Sequence, residues 1–324
     1  MFLYFRKALS NLQTLSQLYA THLRLHNFTG SPGRLYEPMN YIMSLGGKRI
    51  RPLLTLIGAR ACGGNPEDAL IPAHAMEVFH NFTLVHDDIM DNASSRRGQP
   101  TVHEKWSLAE GILSGDNMLI AVYQLLLDFK NPARDNILHL LTKTAREVCE
   151  GQQMDMDSAG LLHVSAEYYL EMIRLKTAVL LGCSLQCGAM TAGADEKVCG
   201  HLYDFAINLG LEFQLNDDWL DAFGNSEMTG KKPGGDIEEG KKTLLYIMAS
   251  SHFDIDALWS KYSGTERVEK TLERFREFEL DSKLKAVAHE YHRHCLADLQ
   301  KLNTLGVDTG LLVELSEWLQ GRKH

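Results

Sequence analysis

Two groups of three aspartates recur in this chain with the same spacing. One is Asp87-Asp88-Ile89-Met90-Asp91 and the other is Asp217-Asp218-Trp219-Leu220-Asp221. In a helix with about 3.6 residues per turn, the first and last aspartates of a group share one face. Their carboxylates repel each other there unless a multivalent cation lies between them. Because apolar residues surround both groups, they are not surface charge runs, and we expect two acidic helices that bind a divalent metal ion.

Several cations along the chain are suited to binding phosphate, because Lys and Arg form charge-assisted hydrogen bonds with its oxygens. The segment 46–52 (Gly-Gly-Lys-Arg-Ile-Arg-Pro) places three cations behind a flexible turn, and Arg96-Arg97-Gly98 follows the first acidic group. These arginines could instead be salt-bridge partners of the aspartates. Lys176-Thr177 interrupts an apolar helical segment, where a buried lysine needs an anionic partner. The loop-like region 223–242, a candidate mobile lid, adds further lysines: Lys231, Lys232, Lys241 and Lys242.

These residues together define one kind of ligand. Carboxylates favour a hard ion, and Mg²⁺ in proteins is usually held by a few carboxylates, waters and substrate phosphates. The cations add direct phosphate contacts, and the apolar residues around the aspartates would bind a hydrocarbon tail. The sequence therefore predicts a site for a lipid-like diphosphate.

Helices must position these residues, because the apolar periodicity is helical and strand-like alternation with tight hairpin turns is missing. About a hundred residues between Pro132 and Pro233 contain no proline, which allows long helices. The periodic segments are 36–45, 73–90, 109–127, 137–148, 166–189 and 198–221. Candidate site residues extend from Lys48 to Lys242, so no cut within that span leaves a self-sufficient half. We expect one all-α domain spanning residues 1–324.

Composition limits the partners and the location. The chain is 44% hydrophobic and 23% charged, and its net charge of -9 argues against nucleic acid as a partner. The six cysteines show no paired framework, and residues 1–10 lack a signal-peptide core with a cleavage site. We therefore expect a cytoplasmic protein. The longest apolar run, 118–127, is too short to span a bilayer, so we expect no transmembrane segment.

Five separated motifs resemble those of the trans-isoprenyl diphosphate synthases, also called polyprenyl synthetases. They occur in order between about residues 36 and 243: segment 46–52, the first acidic group with Arg96-Arg97-Gly98, Lys176-Thr177, Phe213-Gln214 and the second acidic group. The resemblance implies the isoprenoid synthase fold, with antiparallel helices around a deep central cavity, usually as a homodimer. It implies condensation of isopentenyl diphosphate with an allylic diphosphate (dimethylallyl, geranyl or farnesyl), assisted by more than one Mg²⁺ ion.

The resemblance also implies roles for individual residues. Asp87, Asp91 and Asp217 match direct Mg²⁺ ligands, and Asp88 and Asp221 match residues that support them. The positions around the allylic diphosphate are Arg96, Lys176, Thr177, Gln214 and Lys231, and Lys241 is a further substrate-binding position. The positions around isopentenyl diphosphate are Lys48, Arg51, His80 and Arg97. His80 stands where some relatives have glutamine, and the motif leaves open whether Lys231 or Lys232 closes over the diphosphate.

Product length is implied by residues before the first acidic group. Phe82 and Thr83 lie five and four residues before Asp87, roughly one helical turn below the metal end of the cavity. In the family, a large aromatic at the first of these positions commonly stops elongation. The Phe-Thr pair resembles enzymes that stop at geranylgeranyl diphosphate (C20), with farnesyl diphosphate (C15) as the next expectation. Phe79 could form a second floor, and the alternative is that Phe82 is only a core aromatic.

Two other classes of protein remain as alternatives. A class I terpene cyclase shares the first acidic group, but its second site usually has a serine and then a glutamate where this chain has Asp221 and Asn225. A non-catalytic helical partner subunit would be expected to have lost carboxylates, whereas both groups are intact here.

Overall fold

A computed structural model describes residues 2–224 and 233–320, with side chains from residue 12 onward. Within this part of the chain, almost all regular structure is helical, so the all-α prediction is confirmed. Every helix in these ranges is too short or too polar to cross a membrane. The chain forms two compact units. Unit 1 comprises Met1–Thr142, Cys183–Leu202 and Leu305–Leu312, and unit 2 comprises Lys143–Gly182, Tyr203–Thr304 and Val313–His324. Neither unit is continuous in sequence, and the expectation of one domain stays a prediction.

Unit 1 is built around one central helix, α4. The helices of its first segment are α1 (Phe2–Leu25), α2 (Gly33–Ser44), α3 (Ile50–Ala61), a 3₁₀ turn (Pro66–Ala69), α4 (Leu70–Met90), α5 (Val102–Lys105), α6 (Leu108–Asp128) and the start of α7 (Arg134–Ser158). Helix α4 contacts α1, α2, α3, α5 and α6. Residues 72–79 of α4 are all buried, but after that only Asn81, Val85 and Asp88 are. This spacing follows one helical face, so the acidic end of α4 leaves its other faces open.

A short β-hairpin follows α4. Strands β1 (Ser95–Arg96) and β2 (Gln99–Pro100) pair antiparallel. The turn residues Arg97 and Gly98 have φ angles of 53° and 73°, the left-handed conformation that a two-residue type I′ turn requires. The expectation that hairpin turns are missing was therefore wrong at this position. Strands of two residues are too short to produce a detectable alternation.

Unit 2 contains the second acidic group. Its helices are the rest of α7, α8 (Ala166–Ile173), a π-helical turn (Arg174–Ala178), the start of α9 (Val179–Thr191), most of α10 (Glu196–Phe223), α11 (Gly235–Glu239), α12 (Leu244–Ser250), α13 (Ile255–Lys261), α14 (Gly264–Glu277), α15 (Leu280–Thr304) and the end of α16 (Gly310–Gln320). The core of the unit includes the buried side chains of Leu215, Ala249, Phe275, Leu280 and Leu284.

The six predicted helical segments are all helical, with two differences along the chain. The segment 166–189 is divided by the π-helical turn at 174–178, which local periodicity could not reveal. The region 223–242 was expected to be a loop, but its described part contains the short helix α11. Lys231 and Lys232 lie outside the described residues, so their predicted role over the diphosphate stays a prediction.

Candidate active site

The last turn of α4 presents the first acidic group in two environments. Asp88 is 1% exposed, whereas Asp87 is partly exposed and Asp91, at the helix C-cap, is exposed. Arg96 of the hairpin donates from Nε to both carboxylate oxygens of Asp88 at 2.9 Å, and from Nη2 to Oδ1 at 2.7 Å. Arg96 is therefore a salt-bridge partner of Asp88, and its role at the allylic diphosphate stays a prediction. Asp87 and Asp91 are the members of the group turned away from this pair.

The predicted isopentenyl diphosphate residues lie close enough to influence one another electrostatically. Burial, together with the charge of Arg97, lowers the pKa of Arg51 to about 10. Burial also lowers the pKa of His80 well below its usual value, followed by the charges of Arg51 and Arg97. His80 is therefore neutral near pH 7 and can donate one hydrogen bond and accept another. The structure thus brings Arg51, His80 and Arg97 together in unit 1.

A close approach shapes the turn that carries Lys48. Gly47 has a φ of 152°, and a Cβ atom there would lie 2.9 Å from Cζ of Arg97. Arg97 Nη1 donates to the carbonyl oxygen of Leu45 at 3.1 Å. Any larger residue at 47 would displace the guanidinium, so the glycine allows Arg97 to lie against the turn that precedes Lys48.

Aromatic rings pack edge to face about one helical turn before the first acidic group. Phe79 is 1% exposed and meets Phe82 edge to face, with ring centroids 5.6 Å apart. Phe82 also contacts His86, at 4.9 Å between centroids. Phe82 and Thr83 are partly buried, and the Thr83 hydroxyl donates to the carbonyl oxygen of His80 at 2.9 Å. Phe82 is thus less enclosed than Phe79, as a side chain lining a cavity would be.

In unit 2, Lys176 and Thr177 lie in the π-helical turn. Such turns occur often at functional sites, because they change the direction of side chains within a continuous helix. Gly151 of α7 allows the approach, since a Cβ atom there would lie 2.3 Å from the backbone nitrogen of Lys176. The ammonium group of Lys176 pairs with Asp155, also on α7. The anionic partner that the sequence required for Lys176 is therefore Asp155, which the sequence did not identify.

The second acidic group is held in part by Tyr169, a residue that the sequence analysis did not assign. Asp218 is 4% exposed, and burial raises its pKa to about 7, with Asp236 and Asp217 adding to the shift. Its carboxylate accepts hydrogen bonds from the hydroxyl of Tyr169 and, at 3.2 Å, from Nε2 of Gln214. Gln214 therefore contacts the acidic group itself.

Asp221 connects the second acidic group to α11. Its Oδ2 accepts a hydrogen bond from the backbone N–H of Asp236 at 3.0 Å, and burial followed by the charge of Asp236 raises its pKa. Lys241 lies 3.2 Å from Oδ1 of Asp236 and 2.7 Å from Oε2 of Glu239. Burial alone would lower the pKa of Lys241, but these two carboxylates raise it overall. A cation therefore accompanies the acidic cluster of unit 2, and the substrate-binding role of Lys241 stays a prediction.

The donor atoms fit a hard divalent ion. Among the described side chains, in the ranges 12–224 and 233–320, no three His, Cys, Asp or Glu groups converge closely enough to hold a metal by themselves. Of the six aspartates in the two acidic groups, Asp91 is exposed and Asp87, Asp217 and Asp221 are partly exposed, so the groups offer accessible carboxylate oxygens. Mg²⁺ matches this set, because it typically takes one or two carboxylates and completes its shell with waters and substrate phosphates.

Comparison with known proteins gives concordant matches. The sequence pattern of the polyprenyl synthetase family matches residues 32–277. The chain is 36% identical over 297 residues to the geranylgeranyl pyrophosphate synthase of Geoglobus acetivorans, covering 90% of this chain and 92% of that protein. It is 41% identical over 220 residues to the geranylgeranyl diphosphate synthase of Methanosarcina mazei, covering 67% and 68%. A crystal structure of a geranylgeranyl pyrophosphate synthase aligns with a TM-score of 0.89 at 42% identity, over 97% of this chain and 99% of that one.

Proposed function

Because this chain belongs to the polyprenyl synthetase family of prenyltransferases, we propose that it condenses isopentenyl diphosphate with an allylic diphosphate to give geranylgeranyl diphosphate. The observation that carries the proposal is the arrangement of α4. Its acidic end leaves Asp87 and Asp91 accessible, and Phe82 lies about one turn below them against the buried Phe79. With metal bound at this end of α4, Phe79 and Phe82 would form an aromatic floor that suits an allylic chain of limited length.

We assign the metal ligands to Asp87, Asp91 and Asp217, supported by Asp88 and Asp221, with more than one Mg²⁺ ion in the site. Asp88 would act through its pair with Arg96, and Asp221 through the N–H of Asp236. When bound, Mg²⁺ would neutralise negative charge on the leaving diphosphate.

The cations of the chain would stabilise the same charge by direct contact. In this assignment Arg96, Lys176 and Lys231 bind the allylic diphosphate, and Gln214 and Thr177 add hydrogen-bond donors. Lys241 is a further substrate-binding residue. Donors held in place before the reaction stabilise charge as it develops, which lowers the barrier to breaking the allylic C–O bond. Asp155 holds Lys176 in position within unit 2. The aromatic floor excludes water from the allylic cation.

The second substrate completes the reaction. Lys48, Arg51, Arg97 and the neutral His80 bind the diphosphate of isopentenyl diphosphate and orient its double bond. The double bond attacks the allylic cation and forms a new carbon–carbon bond. A proton then leaves the adduct for the released diphosphate, which restores a double bond in the product.

We also propose that the protein is a homodimer. Leu113, Ile120 and Leu127 of α6 are spaced seven residues apart and are 58%, 65% and 53% exposed. Leu108 and Ile112 extend this apolar face at 56% and 42%. A row of exposed apolar side chains on a helix is stabilised when another surface covers it, and a second copy offers an identical row.

A cytoplasmic location is proposed from the cysteines. All six are free thiols, and Cys183, Cys187, Cys199 and Cys295 are buried among core residues. Free thiols are typical of a reducing compartment.

The deciding experiment is a product assay. Purified protein is incubated with Mg²⁺, isopentenyl diphosphate and, separately, dimethylallyl, geranyl or farnesyl diphosphate, and the products are sized by chromatography. A C20 diphosphate is expected, and EDTA should abolish its formation. A cyclic hydrocarbon would instead indicate a terpene cyclase, and no turnover with any primer would indicate a non-catalytic subunit.

A further inference from the structure

Glu77 is a buried carboxylate next to the cations assigned to isopentenyl diphosphate, and the mechanism above gives it no role. It lies in the buried half of α4 and is 1% exposed. Its carboxylate pairs with Nη1 of Arg49, whose side chain is 15% exposed, and accepts a hydrogen bond from Asn81 Nδ2 at 2.9 Å. Removing two charges from water is costly, and this cost offsets much of their attraction. Stabilisation of the fold is therefore not a sufficient reason for this buried ion pair.

Arg49 links this carboxylate to the turn that carries Lys48. Its Nη2 donates to the carbonyl oxygens of Met43 and Leu45, each at 2.6 Å. Arg97 donates to the same Leu45 oxygen at 3.1 Å. Arg49 itself has a φ of 49°, a left-handed conformation that a residue other than glycine adopts only when its surroundings hold it there. The ion pair with Glu77 is such a constraint.

Glu77 also opposes the repulsion among the arginines. Burial lowers the pKa of both Arg51 and Arg97, and neighbouring arginines lower each of them further. The negative charge of Glu77 acts on both groups in the opposite direction. One buried carboxylate is therefore within electrostatic reach of three arginines, two of which are assigned to the substrate.

We propose that Glu77 is a positioning residue for isopentenyl diphosphate. Acting through Arg49, it holds the turn at Gly46–Lys48 and keeps Arg51 and Arg97 together, so that their cationic groups converge on one diphosphate. The proposal rests on the proposed function, because that function supplies the diphosphate. It assigns Glu77 no contact with the substrate.

The test compares the effect of each variant on the KM for isopentenyl diphosphate with its effect on the KM for the allylic primer. Glu77→Gln preserves shape and removes the charge, and we expect it to raise the KM for isopentenyl diphosphate about tenfold or more, as expected for loss of a charge-assisted interaction. The KM for the allylic primer, and kcat at saturating isopentenyl diphosphate, should stay within about twofold of wild type. Glu67→Gln is the matched control, since it removes the same charge from an exposed position of unit 1 and should change neither constant.

A second variant and a binding measurement distinguish a loss of positioning from a general loss of folding. Arg49→Lys keeps the charge but loses the guanidinium fork that reaches two carbonyl oxygens, and should give the same selective rise. Calorimetric titration with inorganic pyrophosphate in EDTA should show weaker binding by both variants than by wild type. Equal rises in both KM values, or a lower melting temperature with unchanged KM values and pyrophosphate affinity, would overturn the proposal.

Failure of the proposed function has a different signature. Wild-type protein would then give no prenyl diphosphate with any primer, and the pyrophosphate titration would decide the role of Glu77 by itself. Weaker pyrophosphate binding by Glu77→Gln, without any change for Glu67→Gln, would support the positioning role. Identical affinities of wild type and Glu77→Gln would overturn it.

Discussion

Arg96 binds the carboxylate of Asp88 through two of its nitrogens, Nε and Nη2, at 2.7 to 2.9 Å. This pair fastens the hairpin to the acidic end of α4 and fixes which aspartates face outward. A guanidinium carries five N–H groups, and these contacts use two of them. Arg96 can therefore keep its contact with Asp88 and still donate to a phosphate, so its structural role is compatible with the proposed contact with substrate.

Activity should depend on both acidic helices. We expect Asp87→Ala and Asp217→Ala each to lower kcat by about 100-fold or more, because each removes a carboxylate that would bind Mg²⁺ during ionisation of the allylic substrate. Steady-state assays at saturating Mg²⁺ measure this, with thermal unfolding to establish that the fold is intact. Asp135→Ala, which removes an exposed aspartate of α7, is the control. Normal turnover by either acidic-group variant would contradict the metal assignment.

The two substrates should be separable by mutation. Arg97→Ala should raise mainly the KM for isopentenyl diphosphate, and Lys176→Ala mainly the KM for the allylic primer, each by about tenfold. Lys176→Ala should also lower kcat, because charge develops on the leaving diphosphate to which we assign Lys176. Asp155→Asn removes the partner of Lys176 and should give a smaller effect in the same direction. Indistinguishable effects on both substrates would show that the assignments are wrong.

Product length should respond to the aromatic floor. We expect Phe82→Ala to lengthen the product by one or more five-carbon units, because it removes the less enclosed ring of the Phe79–Phe82 pair. Adding Phe79→Ala should extend the shift. Chromatographic sizing of the products is the measurement, and Phe253→Ala, which removes a partly buried ring between α12 and α13, is the control. An unchanged distribution in both floor variants would mean that the cavity ends elsewhere.

The oligomeric state should depend on the apolar face of α6. Ile120→Glu places a charge at its most exposed position and should convert a dimer to a monomer at micromolar concentration, because burying an unpaired charge is unfavourable. Light scattering coupled to size-exclusion chromatography gives the mass. Leu296→Glu, at an apolar position of α15 that is 46% exposed, should leave the mass unchanged. A dimer that persists in Ile120→Glu would rule out this interface.

Acid should destabilise unit 1 through two histidines between α1 and α4. Burial lowers the pKa of His22 to about 4, with His26 adding to the shift. Burial also lowers that of His74 to about 3, followed by the charges of His22, His26 and Arg49. Tyr19 contacts His74, and Glu77 is the nearby acid acting on Tyr19.

The direction in which stability changes with pH follows from the difference in proton binding between the folded and unfolded states. Below pH 6.5 the unfolded chain binds protons at these histidines, whereas the folded protein resists until about pH 4 and then pH 3. Stability should therefore fall as the pH falls through this window, by at most about 1.4 kcal/mol per pH unit for each histidine. Urea unfolding between pH 7 and pH 4 measures this slope. His74→Gln should reduce it, and the exposed His139→Gln should not; equal slopes in wild type and His74→Gln would contradict the argument.

Much of the site could be predicted because its signals are local. Helical periodicity identified the segment 73–90, and a spacing of four residues placed Asp87 and Asp91 on one face, where the structure has them. Lys176 was recognised as a charge in need of an anion, because its own helix is apolar. The π-helical turn around it was missed, since it depends on how α7 approaches at Gly151 and leaves no periodic signal.

The sequence by itself determined the helices, the two acidic groups, the cations and the family resemblance, because each depends on residue type and short spacing. Only the tertiary structure decided which partner each charge has. Arg96 pairs with Asp88 across eight positions, Lys176 with Asp155 across 21, and Tyr169 with Asp218 across 49. Helix packing brings these side chains together, and a contact between distant residues has no period or fixed spacing from which it could be predicted.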